Sequence, residues 1–221
     1  MNLYNQNLDY LCEKRKISIT EFERIIYIPK VRIMEPTPDE LIRIADYFQL
    51  PIDILIRKDL KAFDKSQLHK IKLVILDVDG TMTDGGMYFT ENGDQIKKYN
   101  TKDGMAIKRE VRDGIQFGII SHGHKLKMVE DRAQLLDIKH VYVGQESKTE
   151  VLARWCVDLN LKPEEVAFVG DDINDVEIMK TVGLSACPAD AVTAVKSIAD
   201  IVLSKNGGTG CVREFLDDWL N

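Results

Sequence analysis

The sequence predicts an α/β fold: a Rossmann-like parallel sheet with helices on both faces and a β-hairpin flap, preceded by a small all-α module. Three observations lead there. Only helical signals occur before about residue 58. From Ile71 onward, short apolar runs alternate with helical patterns, the signature of repeated βα units. The runs are continuously apolar, as in strands covered on both faces.

In the first module, Leu8, Leu11 and Cys12 share one face of a helix. Ser18 or Thr20 can cap a second, short helix carrying Phe22, Ile25 and Ile26. Thr37-Pro38-Asp39-Glu40 is a helix start, with Thr37 as N-cap, Pro38 at the first position and Glu40 closing a capping box. Leu41, Ile44, Ala45 and Phe48 follow at helical spacing, Leu50-Pro51 ends that helix, and Ile52 to Ile56 adds a turn or two. The predicted boundary lies near residue 65.

The second part begins with the strand Ile71–Leu76. Residues 86–90 and 95–99 form a hairpin around Asn92-Gly93. Asp103 can cap a helix through Arg112. Strands follow at Ile115–Ser121, Val141–Val143, Val166–Val169, Leu184–Cys187 and Ile201–Leu203. Helices are predicted around Leu126–Leu136 and over 147–160, 173–181 and 191–198.

Among 221 residues, 36 Asp plus Glu outweigh 30 Lys plus Arg, a net charge of −6, which disfavours a chain built mainly to wrap nucleic acid. Residues 1–65 carry 11 basic and 11 acidic side chains, so the excess falls on residues 66–221. Four Cys without a Cys-x-x-Cys pair suggest isolated thiols in a reducing compartment. No apolar signal core or membrane-length run is evident, and a cytoplasmic location is expected.

Two acidic motifs carry the chemistry. Asp77-Val78-Asp79-Gly80-Thr81 directly follows the first strand, and Gly170-Asp171-Asp172-Ile173-Asn174-Asp175 follows Val166–Val169. Ligands of open α/β sheets bind outside the carboxyl ends of strands, so the clusters can converge. Converging carboxylates repel unless a hard divalent cation such as Mg²⁺ lies between them. Asp172 can also cap the next helix.

Asp77-x-Asp79-Gly-Thr and the later Gly-Asp171-Asp172 resemble the haloacid dehalogenase superfamily, and residues 71–221 resemble its capless sugar-acid phosphatases, most nearly those acting on 3-deoxy-D-manno-octulosonate 8-phosphate. Supporting stretches are Thr83-Asp84-Gly85-Gly86, Lys102-Asp103-Gly104, Val129 to Arg132, Val143 to Lys148, and Gly207-Gly208-Thr209-Gly210 with Val212-Arg213-Glu214. The resemblance implies Asp77 as nucleophile, Asp79 as general acid and base, and Lys148 on phosphate and nucleophile. It implies Mg²⁺ on the Asp77 carboxylate, the Asp79 carbonyl and Asp171, with Asp172 and Asp175 supporting the ligands. It also implies a homotetramer in which a neighbour closes the exposed site. The Gly207–Gly210 tail is expected to reach that neighbour, with Arg213 pairing a substrate carboxylate.

One position departs from the pattern. The family ends its second strand with Thr or Ser before Gly, whereas Ile119-Ile120-Ser121-His122-Gly123-His124 places His122 there. Strand alternation turns Ser121 to the other face. A bulge would restore Ser121; otherwise His122 meets phosphate through a ring N–H. His124 is expected at the sugar acid. The rival substrate is a nonulosonate 9-phosphate of the sialic acid type.

Residues 1–60 resemble a degenerate helix-turn-helix of the repressor type. Ile26 to Glu35 is too short for a turn plus recognition helix and contains Pro29, so a packing or assembly role is expected. The reading from another class is a DNA-associated regulator whose phosphatase fold acts as a sensor.

Overall fold

The computed structural model describes residues 2–57, 60, 71–123 and 126–220. Contacts divide the chain into two compact units, Met1–Lys65 and Ser66–Asn221.

The first unit contains α1 (Leu3–Lys14), α2 (Ile19–Ile26), α3 (Lys30–Met34), α4 (Pro38–Phe48) and α5 (Ile52–Arg57). Ser18 caps α2, its Oγ accepting from Glu21 N–H while its own N–H donates to Glu21 at 2.7 Å. At α4 the Thr37 N–H donates to the Glu40 carboxylate at 2.9 Å. Leu8, Phe22, Ile33, Ile44 and Leu55 are fully buried together in this unit. Asn7 is buried too. Its amide donates to the Leu55 carbonyl at 2.8 Å and accepts from Leu60 N–H at 2.9 Å, which ties α1 to the end of the unit. Between α2 and α4 the chain makes only the five-residue α3, about 7 Å of helix.

The second unit is built on β1 (Leu73–Leu76), β4 (Gln116–Ser121), β5 (His140–Val143), β6 (Val166–Val169), β7 (Leu184–Cys187) and β8 (Ile201–Val202), with a separate antiparallel pair β2 (Tyr88–Phe89) and β3 (Gln95–Ile96) as the flap. The main sheet runs β5-β4-β1-β6-β7-β8, and all its pairings are parallel. Its helices are α6 (Thr101–Arg112), α7 (Leu126–Leu135), α8 (Lys148–Asp158), α9 (Val176–Thr181), α10 (Thr193–Lys196) and α11 (Cys211–Phe215). All four residues of β1 and of β6 are buried, because helices cover both faces. On one face Leu73, Ile75 and Phe168 pack with Val151, Trp155 and Met179. Among the described residues no helix is long and apolar enough to cross a membrane.

Two expectations shift. The first strand starts at Leu73, not Ile71. The cap of α6 is Asn100, whose side chain accepts from Lys102 N–H at 2.8 Å. Asn is among the best N-caps, and it pre-empts Asp103. Asp103 is buried in the first turn instead and accepts the Arg213 N–H at 2.7 Å.

Candidate active site

The central strands β1 and β6 are neighbours in matched register, Leu76 opposite Val169, so the residues that follow them emerge side by side. The Asp77 N–H completes the ladder by donating to the Val169 carbonyl at 2.9 Å. The chain then turns sharply at Asp79 and Gly80. Gly80 has φ +92°, and a Cβ there would lie 2.0 Å from an Asp171 carboxylate oxygen. Only glycine lets the two motifs approach this closely. Thr81, fully buried, donates to Asp171 at 2.9 Å.

The carboxylates of Asp77, Asp171 and Asp175 present oxygens that all lie within 4.8 Å of one another. Lys148, at the start of α8 and nearly fully buried, joins two of them: its Nζ is 2.6 Å from Asp77 Oδ1 and 2.5 Å from Asp175 Oδ1. The second oxygen of Asp175 accepts the N–H groups of Asp171 and Asp172 at 2.9 and 3.2 Å. Asp175 is therefore engaged on both oxygens as a support, while oxygens of Asp77 and Asp171 lie within 4.8 Å of each other. Asp172 caps the turn after β6, accepting the Ile173 N–H at 2.7 Å.

Electrostatics follow from this packing. Burial raises the Asp77 carboxyl above its usual range; Lys148 opposes that rise and Asp175 adds to it. Asp171 is pushed up to about 7, first by burial and then by the charges of Asp77 and Asp175. Burial alone would lower Lys148, but its two carboxylate partners hold it above the usual value. Three carboxylates share one ammonium, which leaves two uncompensated negative charges. That excess, offered by hard oxygen donors, fits a divalent cation of the Mg²⁺ kind.

An open cleft of about 350 Å³ leads to the cluster, lined among others by Asp77, Asp79, Phe89, Lys97, Ser121, His122 and Asn174. Lys97, from the flap, forms an ion pair with Asp79.

The loop after β4 sets Ser121 and His122 together at the cleft. The Ser121 hydroxyl lines the cleft and accepts the Gly123 N–H at 3.1 Å. Ser121 is the last residue of β4, paired with Val143, so the turn that follows decides what its hydroxyl meets. Both ring nitrogens of His122 are occupied: Nε2 is 2.9 Å from the Glu146 carbonyl, and Nδ1 is 3.1 Å from the Asn174 amide. A carbonyl can only accept, so Nε2 carries the proton and the ring braces three loops. His124 lies outside the described residues.

Arg213 does not line the cleft of its own chain; its Nε pairs with Asp217. The Gly207–Gly210 segment is not a free tail. The Gly208 N–H donates to the Thr81 carbonyl at 3.0 Å, the Gly207 N–H donates to Asp190 at 2.9 Å, and a Cβ on Gly207 would meet the Gly80 carbonyl at 1.8 Å. Packed this tightly, the glycines serve close approach within their own unit.

Residues 140–216 match the family described as haloacid dehalogenase-like hydrolase. The 3-deoxy-D-manno-octulosonate 8-phosphate phosphatase of Escherichia coli K12 is 41% identical over 152 residues, covering 69% of this chain and 80% of the relative. The chain belongs to the haloacid dehalogenase superfamily. It is a phosphatase of the group to which that relative belongs. Among solved structures, the Yersinia pestis phosphatase of the same name superposes with TM-score 0.67 at 38% identity, covering 69% of this chain and 82% of its own. The Moraxella catarrhalis phosphatase, solved with a magnesium ion, a phosphate ion and KDO, gives TM-score 0.67 at 28% identity, covering 69% and 87%.

Lys97, Thr81 and Asn174 were not singled out by sequence reasoning. For Lys97 a signal existed: period-two alternation on a hairpin strand sets it opposite Lys98. The Lys98 side chain is 63% exposed on Asp84, and that of Lys97 only 6%.

Proposed function

We propose that the chain hydrolyses an ulosonic acid phosphate, 3-deoxy-D-manno-octulosonate 8-phosphate, with Mg²⁺ and through an aspartyl-phosphate formed on Asp77. The observation that carries this reading is Lys148 bridging Asp77 and Asp175 while Asp171 faces Asp77. Asp77 would attack phosphorus, and the ester bond to the sugar oxygen would break. Asp79, at the cleft, would protonate that oxygen and then take a proton from the water that hydrolyses the intermediate. Lys148 holds the nucleophile in place and balances its charge. The Ser121 hydroxyl, held by the Gly123 N–H, is a candidate donor to a phosphate oxygen. Asp77, Asp171 and the Asp79 carbonyl would hold Mg²⁺, whose charge offsets repulsion between an anionic nucleophile and an anionic phosphoryl group.

Phosphate release from this substrate should require Mg²⁺ and disappear in Asp77→Asn. Turnover that survives in Asp77→Asn would refute the mechanism.

We also propose a cytoplasmic homotetramer in which a neighbour closes the cleft. Met87, Tyr88, Phe89 and Ile96 of the flap are all more than half exposed, which supports the assembly. In this reading residues 66–221 are the phosphatase domain and residues 1–65 an assembly module. The brevity of α3 argues against reading a major groove.

A further inference from the structure

The cleft has a charge problem that its known parts leave open. Asp77, Asp79 and Asp172 line it, and among the described residues the one ammonium or guanidinium in its lining is that of Lys97. Lys148 is committed to Asp77 and Asp175. A phosphorylated sugar acid brings two anionic groups. The phosphoryl group would be met at the Asp77 end by the Ser121 hydroxyl and by the cation that Asp77 and Asp171 would hold. The sugar carbons separate the substrate carboxylate from the phosphoryl group, so it needs a partner away from Asp77.

Lys97 sits there. It follows β3, and its side chain is 6% exposed although the hairpin around it is open to solvent. Among the described residues its one partner is Asp79. An ammonium has three N–H donors, so a second anion can bind while the first remains or is exchanged. A desolvated ammonium with spare donors attracts a carboxylate more strongly than a solvated surface lysine does. The flanking Met87, Phe89 and Gln95 line the same mouth and would pack against the sugar chain.

Resting on the phosphatase reading above, we propose that Lys97 is the carboxylate-recognising, specificity-determining residue of the cleft, supplied by the flap. In the free chain its ammonium is held on Asp79. On binding it meets the substrate carboxylate, which frees Asp79 to face the leaving oxygen.

The test compares kcat/KM for 3-deoxy-D-manno-octulosonate 8-phosphate with that for fructose 6-phosphate, which lacks the carboxylate. The proteins are the wild type, Lys97→Met and Lys97→Arg. The expected result is a selectivity ratio at least tenfold lower in Lys97→Met, mainly through a raised KM for the acid, and largely restored in Lys97→Arg. Equal fractional losses on both substrates would assign Lys97 to Asp79 alone and overturn the proposal, as would an unchanged ratio. A wild type that hydrolyses neither substrate sinks the phosphatase reading itself, whereas an active wild type whose selectivity survives Lys97→Met sinks this inference alone.

Discussion

Asp171→Asn should stabilise the metal-free protein at alkaline pH while destroying its affinity for the ion. Asp171 titrates at about 7 in the fold against a usual 3.8, chiefly because it is buried and beside Asp77. A folded value above the unfolded one favours the protonated form in the fold. The associated stability is therefore complete below about pH 4 and is lost as pH rises through about 7. The loss is roughly 1.4 kcal/mol per pH unit inside that window, hence about 3 kcal/mol between pH 5 and pH 8. The open cleft screens part of it, and about half is a fair lower figure. Asn keeps the shape and can still accept from Thr81, but it never ionises. Urea denaturation in EDTA at pH 5 and pH 8 reads the effect directly: the wild type should lose about 1.5–3 kcal/mol more than Asp171→Asn across that interval. Adding Mg²⁺ at pH 8 should reverse the order, because a ligand at 100 times its Kd adds about 2.7 kcal/mol to the wild type. If both proteins lose the same stability from pH 5 to pH 8, the carboxylate cluster is not under the electrostatic pressure inferred for it.

Ser121→Ala should lower kcat/KM by roughly ten- to a hundredfold, the value of one hydrogen bond to a charged group, measured by steady-state phosphate release. His122→Ala should cost less in rate than Ser121→Ala, because its ring nitrogens bind Glu146 and Asn174; a larger loss would return His122 to the phosphate. Light scattering should give a mass near four times 25.2 kDa, and Met87→Ser with Phe89→Ser should shift it toward smaller species.

Much of the phosphatase-like unit was legible because its determinants are local. Four-residue apolar runs such as Leu73–Leu76 and Val166–Val169 can be buried on both faces only in a covered parallel sheet. Once both strands are central and parallel, the residues after them must share an edge, and so Asp77 and Asp171 meet. Capping was legible for a similar reason: Ser18 with Glu21 and Thr37 with Glu40 satisfy donors three residues away.

What escaped the sequence depends on where a chain goes after regular structure stops. Period-two reasoning turned Ser121 away from the cleft, although Ser121 is the last residue of β4, paired with Val143, and lines the cleft. The same reasoning, applied to the flap strand, would have found Lys97 inside. The pleat fixes which face of the sheet a residue takes, and at a strand's last residue the turn that follows decides what its side chain meets. His122 meets Asn174 across 52 residues and Lys97 meets Asp79 across 18, so no spacing rule could pair them. The tail misread has the opposite cause. Four residues of Gly207-Gly208-Thr209-Gly210 suggest freedom, but the missing side chains there admit the backbone of the Asp77–Thr83 turn. Glycine at a functional edge signals close approach as readily as mobility, and the partner it approaches decides which.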